Sequence, residues 1–268
     1  MAEEEPNKNL IELIRAATGE GVASGTGSLI GGAVGGIPGA IIGGAAGSVS
    51  KDIFDRLGDE FNQRFLSHRE KVRVGKTFLG IIQRVEDAQK EGEDPRDDGF
   101  FEPGAGERSD GEEVLEGIIQ AAKDEYEERK LPYLMNLGRA AFMKSALSRN
   151  IAVQLVHLAE MLSYQELILL GIIAINENKS LGLREKVYSG EKKRFSDQSL
   201  IVSVLQDFNH LKNLGLITDG DPPGYGPAEF IPAQMALVGG PGKRLVVHMR
   251  LAEMPESERA PYVALLKE

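Results

Sequence analysis

Four histidines, at positions 68, 157, 210 and 248, and no cysteine limit the chemistry this chain can perform. Without cysteine there is no thiol nucleophile, no disulfide and no Cys-ligated zinc, which fits a reducing compartment. His157 follows three residues before Glu160, and Asp207 three before His210, so each pair shares a helix face. Neither pair supplies the two Glu-x-x-His units of a di-iron bundle. The patterns H-E-x-x-H and G-x-S-x-G do not occur. In "GTGSLI", Ile30 stands where a dinucleotide fingerprint needs its third glycine, and ahead of "VGKT" Glu70 stands where a P-loop needs its first. Asp97 and Asp98 in "DPRDDGFF" are of the type that holds a cation, but an acidic run between helices reads first as a solvated loop. The expectation is a chain that is not an enzyme and needs no cofactor or metal.

Cations are the remaining ligand-binding candidates. Lys192, Lys193 and Arg194 in "EKKRF", together with Lys243, Arg244 and Arg250, could gather a short anionic ligand such as an oligonucleotide. The same three residues at 192 to 194 also read as an ordinary solvated loop. Duplex DNA is a poor fit. The net charge is −10, and residues 161 to 268 hold 12 Lys and Arg against 13 Asp and Glu, so −9 falls on residues 1 to 160. The helix expected after Ser196 presents Gln198, Ser199, Gln206, Asp207, His210, Lys212 and Asn213, a polar and almost uncharged face unsuited to groove reading.

The chain that must position these groups reads as mainly α, in three parts. Residues 1 to 50 contain a short amphipathic helix at 7 to 17 and an uncharged run from Gly21 to Ser50. Residues 51 to 162 form a helical bundle: Ile53, Phe54, Leu57, Phe61 and Phe65, then Phe78, Ile81, Ile82 and Val85, recur at helical spacing and predict one long helix, or two in series, over 51 to 90. An acidic loop at 91 to 111 follows, long enough to suggest a lid or partner-facing segment. Capping boxes at Ser109 with Glu112 and Ser163 with Glu166 start later helices, and Pro132 marks a junction between "EEVLEGIIQAAKDEYEERK" and "LPYLMNLGRAAFMKSALSR". Residues 163 to 268 change character. Leu200, Val204, Phe208 and Leu211 make one stripe closed by Gly215, and "EFIPAQMALV" and "KRLVVHMRL" read as two strands around "GGPG". That order matches a winged-helix-like α+β domain, with Lys243, Arg244 and Arg250 in its wing.

Glycine recurs every four residues at Gly27, Gly31, Gly35, Gly39, Gly43 and Gly47. Four per step is close to 3.6, so these glycines form one ridge of a helix, with Ile and Val on the opposite side. In water each glycine costs about 0.5 to 1 kcal/mol relative to alanine. A bilayer offsets that, because lipid makes the backbone satisfy its own hydrogen bonds and small residues let helices pack closely. Thirty helical residues reach about 45 Å, more than the roughly 30 Å hydrocarbon core. With eight Val, Leu or Ile in the run, one copy is a weak insertion signal, so insertion as a homo-oligomer is expected. Pro38 either kinks the helix or folds it into two halves. Lys51, Arg56, Arg64 and Arg69 after the run outnumber Lys8 and Arg15 before it, which places the C-terminal part in the cytoplasm. A flexible loop, or a glycine helix packed inside a soluble protein, is the competing reading. The opening residues lack the basic start and cleavage site of a signal peptide, so cytosolic synthesis is expected.

The glycine zipper, the "RDDGFF" loop, the "EYEERKLPYLMNL" centre and the winged-helix-like end together resemble bacterial membrane effectors of abortive-infection, anti-phage defence, in particular the Hailong-type effectors. The resemblance spans roughly residues 20 to 250, with the zipper as its specific part. It implies an inner-membrane channel with a cytoplasmic sensor domain, opened or closed by oligonucleotides that a partner nucleotidyltransferase makes. The alternative is a soluble winged-helix DNA-binding regulator that self-associates through the glycine helix; a scaffold without ligand is the third reading.

Overall fold

The computed structural model describes residues 56–58, 60–61, 64–103, 108–143, 147–183, 187–188, 198–218, 229–230 and 232–267. The glycine run and Lys192, Lys193 and Arg194 lie outside the described residues. The described chain is mainly helical and divides into two compact units, Met1–Val156 and His157–Glu268.

In the first unit the expected periodicity over 51 to 90 is interrupted. Leu57 and Phe61 are buried, and the chain then breaks at Ser67, which starts helix α1, His68–Lys90. The Ser67 hydroxyl accepts from Glu70 N–H while the Glu70 carboxylate accepts from Ser67 N–H at 2.7 Å, a capping box the sequence reading passed over. The inner face of α1, Val74, Phe78, Ile81 and Val85, packs on α2, Asp110–Asp124, and on α3, Leu131–Phe142. The α1–α3 crossing is close because each helix offers a glycine to a large residue of the other: Gly80 faces Met135, and Gly138 faces Ile81.

At Ser109 half of the expected box forms. The hydroxyl accepts from Glu112 N–H at 3.1 Å, but the Glu112 carboxylate turns inward and faces Arg56 at 3.3 Å. The stretch 131 to 149, expected as one helical segment, ends as helix at Phe142. Met143 is extended and bridges to Pro95, and α4, Arg149–Met161, starts anew. Pro132 sits in the first turn of α3, where its missing N–H is harmless.

The loop between α1 and α2 keeps its described acids exposed, as expected, and is clasped from within by a buried arginine. Arg96, 5 % exposed, donates to the carbonyls of Ala141 at 3.3 Å and Leu147 at 3.0 Å and to Asp98, and its guanidinium lies 3.6 Å from the centre of the Phe100 ring. Phe101 stacks on Phe142 at 4.7 Å, and Phe100 O accepts from Gly111 N–H in the first turn of α2. Gly99 turns the chain between Asp98 and Phe100 at φ +76, a conformation other residues resist. Asp97 and Asp98 point outward, with Asp98 held below the usual carboxylate range by its hydrogen bond from Arg96.

The second unit is built on α5, Tyr164–Asn178, whose capping box forms in full: Ser163 Oγ accepts from Glu166 N–H at 3.2 Å, and Glu166 Oε2 accepts from Ser163 N–H at 2.7 Å. Leu167 to Ala174 are all buried. Strand β1, Val187–Tyr188, is followed by α6, Gln198–Asn213; β2, Ile217–Thr218; β3, Glu229–Phe230; and β4, Ala236–Leu237. Then come α7, Pro241–Met249, a 3-10 turn at Leu251–Glu253, and α8, Glu256–Lys267. Val204, Phe208 and Leu211 of the predicted stripe are buried on α6, and Gly215 closes it at φ +68. Helices α6, α7 and α8 all pack on α5.

The wing expected from "KRLVVHMRL" is a correction. That segment is α7, not a strand, and β4 pairs antiparallel with β2 while β3 pairs with β1. The reason is the spacing of its apolar residues: Gly242, Leu245, Val246 and Met249 are buried at helical intervals, and Pro241 presets the first turn. Helix α8 had no counterpart in the sequence reading.

Two glycines fix the approach of these elements. A Cβ at Gly171 of α5 would lie 2.6 Å from the Leu251 carbonyl oxygen, and one at Gly242 would collide with the Leu216 carbonyl. Backbone cannot rotate away as a side chain can. Gly171→Ala and Gly242→Ala should each destabilise the second unit by about 3 kcal/mol, whereas Gly80→Ala, facing the flexible Met135, should cost about 1 kcal/mol, measured by urea denaturation. Equal costs at all three sites would show that the units relax freely around these contacts.

Among the described residues no single helix is long and apolar enough to cross a membrane; α4 and α5 meet that composition when taken together across the bend between them.

Candidate functional site

Among the polar clusters of the described residues, the one that joins a histidine to a buried acid lies in the second unit. Glu166, placed by its capping role in the first turn of α5, is buried to 4 % side-chain exposure. Its Oε1 lies 2.5 Å from Nδ1 of His210 on α6, while its Oε2 keeps the Ser163 N–H. One turn earlier on α6, Asp207 Oδ2 accepts from Gln165 Nε2 at 2.6 Å, and the same amide nitrogen donates to Ser203 Oγ at 3.1 Å. Gln165 Oε1 accepts from Tyr262 OH of α8 at 3.3 Å.

Burial pushes the Asp207 carboxyl up to about 6; the Gln165 hydrogen bond opposes this, the Glu166 charge adds to it, and His210 opposes it. A carboxylate that fixes Nδ1 of an imidazole leaves Nε2 as the nitrogen not committed to that carboxylate, and His210 is about half exposed. Asp207 can therefore take up and release a proton near neutral pH. Among the described residues no three His, Asp or Glu side chains converge as a metal site.

The sequence placed Asp207 and His210 on one face but not their partner Glu166, 44 residues from His210. The Ser163–Glu166 box was the available signal, and it pointed to helix capping alone. His157 and Glu160 approach to 3.7 Å on the exposed side of α4.

The predicted cations are divided. Lys243 and Arg244 stand side by side on the exposed first turn of α7, and not in a wing. Arg250 follows α7 in the left-handed region at φ 56, and its Nε lies 3.1 Å from Glu253. His248 of the same helix is held below its ordinary value by burial and by the Arg244 charge. Lys192, Lys193 and Arg194, and Gly27, Gly31, Gly35, Gly39, Gly43 and Gly47, fall outside the described residues.

Comparison of the chain with protein-family models, curated proteins and solved structures returns no match.

Proposed function

We propose that this chain is an oligomeric membrane effector of bacterial defence, whose glycine ridge from Gly27 to Gly47 assembles copies in the inner membrane. The C-terminal unit acts as its cytoplasmic sensor for an anionic ligand such as an oligonucleotide. The observation that carries the reading is the uncharged Gly21–Ser50 run with its unbroken four-residue glycine phase, between flanks that differ in Lys and Arg. Support comes from the described helices, which bury their apolar faces against one another, α5 above all. Lys243 and Arg244, adjacent and exposed on α7, provide a cationic edge for the ligand.

The rival reading, a soluble winged-helix regulator of duplex DNA, is weakened by α7, which stands where the second strand of a wing was expected. It is weakened further by the near-neutral outer face of α6.

The test is expression of the full chain in bacteria beside a chain lacking residues 19 to 50, followed by alkaline carbonate washing of the membranes. The full chain should stay in the pellet and the deletion should not. Extraction of both would make the run an assembly device of a soluble protein and overturn the membrane reading.

A further inference from the structure

Neither ligand capture nor membrane assembly uses Glu166, Asp207 and His210, yet their arrangement ties three helices of the C-terminal unit together. Gln165 is the tie: its amide nitrogen reaches Asp207 and Ser203 on α6, and its amide oxygen receives the Tyr262 hydroxyl from α8. The anchor of this tie on α6 is titratable. The groups that face Asp207 are Glu166 from α5, His210 from its own helix and, through Gln165, the phenol of Tyr262 from α8.

We propose that the junction of α5, α6 and α8 is a proton-operated switch: a proton on Asp207 fastens α6 and α8 to α5 through Gln165, and its loss leaves a charged carboxylate in the α5–α6 contact beside Glu166. The charge on Asp207 is disfavoured first by its burial and further by Glu166, while the Gln165 hydrogen bond and His210 oppose both. The buried Glu166 cannot turn away, because its other oxygen is held by the N–H of Ser163. The cost of the charge therefore falls on α6 and, through Gln165, on the seat of α8.

The direction follows from linkage. The folded Asp207 carboxyl, raised to about 6, binds its proton more tightly than the unfolded chain, where an aspartate titrates near ~3.9. The stabilisation is thus fully present below the unfolded value and is lost as pH rises through about 6. This is opposite to the acid lability that a salt-bridged carboxylate confers. The inference concerns the C-terminal unit itself and does not rest on membrane insertion, so either can fail without the other.

Hydrogen–deuterium exchange of the full chain at pH 5.5 and 7.5, corrected for the intrinsic exchange rate, tests it on peptides from 198 to 213 and 256 to 267. Protection there should be roughly two- to fourfold higher at pH 5.5. Asp207→Asn keeps an oxygen for Gln165 but cannot ionise; it should erase the difference and hold protection at pH 7.5 near the parent's value at pH 5.5. His210→Gln removes a group that favours the Asp207 charge and should widen the difference. Equal or lower protection at pH 5.5 in the parent, or an Asn variant with the parent's pH dependence, would overturn the proposal. If the Asn variant does not fold, the parent and His210→Gln comparisons decide it on the same terms.

Discussion

Arg96→Ala should lower the stability of the N-terminal unit by about 4 kcal/mol, the combined effect of two orphaned carbonyls and a lost ring contact. The side chain is 5 % exposed, and its guanidinium serves Ala141 O and Leu147 O at once, on either side of the break between α3 and α4. Alanine leaves both oxygens buried without that donor, uncovers the Phe100 ring and frees Asp98 to repel Asp97. Arg96→Lys should recover less than half, since an ammonium cannot bridge two carbonyls and a carboxylate from one plane. Amide exchange at Arg96 and Met143, whose N–H groups donate to Phe142 O and Arg139 O, is the local readout. Loss of about 4 kcal/mol appears there as a protection drop approaching a thousandfold. Unchanged protection in the alanine variant would mean that the loop is held by its phenylalanines and not by the arginine.

The second large effect belongs to the proposed membrane assembly. Gly35→Leu places an isobutyl group in the middle of the glycine ridge, where helix backbones would otherwise approach closely. Leakage of a dye from bacterial cells or vesicles should be abolished, while exchange protection throughout residues 64 to 267 stays that of the parent. A conservative control, Gly35→Ala, should keep partial leakage, because Ala still satisfies the small-residue rule. Leakage undiminished by leucine removes the ridge from the mechanism, even if the chain still partitions into membranes.

The sequence was informative where a local rule has a single structural outcome. Ser163 with Glu166 and Gly215 after "LKNL" each act within a few residues, and each sits at the helix end expected of it. The stripe on α6 was visible because Val204, Phe208 and Leu211 are buried on one side while Val202, Gln206 and Asn209 are exposed. Where outcome depends on distant partners, local reading failed. In "KRLVVHMRL" the helical spacing of Leu245, Val246 and Met249 is local, but which residues are buried is fixed by partners outside the segment, such as the Leu216 carbonyl against Gly242. The acidic appearance of "DPRDDGFF" hid an arginine whose partners are 45 and 51 residues away. Glu166 looked like a cap and is one, but its second oxygen meets His210, and no spacing rule links positions 44 apart. The α8 segment was missed because Pro261 interrupts its pattern, although the helix carries it.

The clasp at Arg96 also bears on chain topology. By joining position 96 to the carbonyls at 141 and 147, it closes loops of the size that secreted proteins close with cystine, in a chain that has no cysteine. Such a closure needs no oxidant to form and no reductant to open. It is made afresh each time the chain folds, whatever the thiol balance around it, and it holds only as long as the backbone oxygens it grips stay in place.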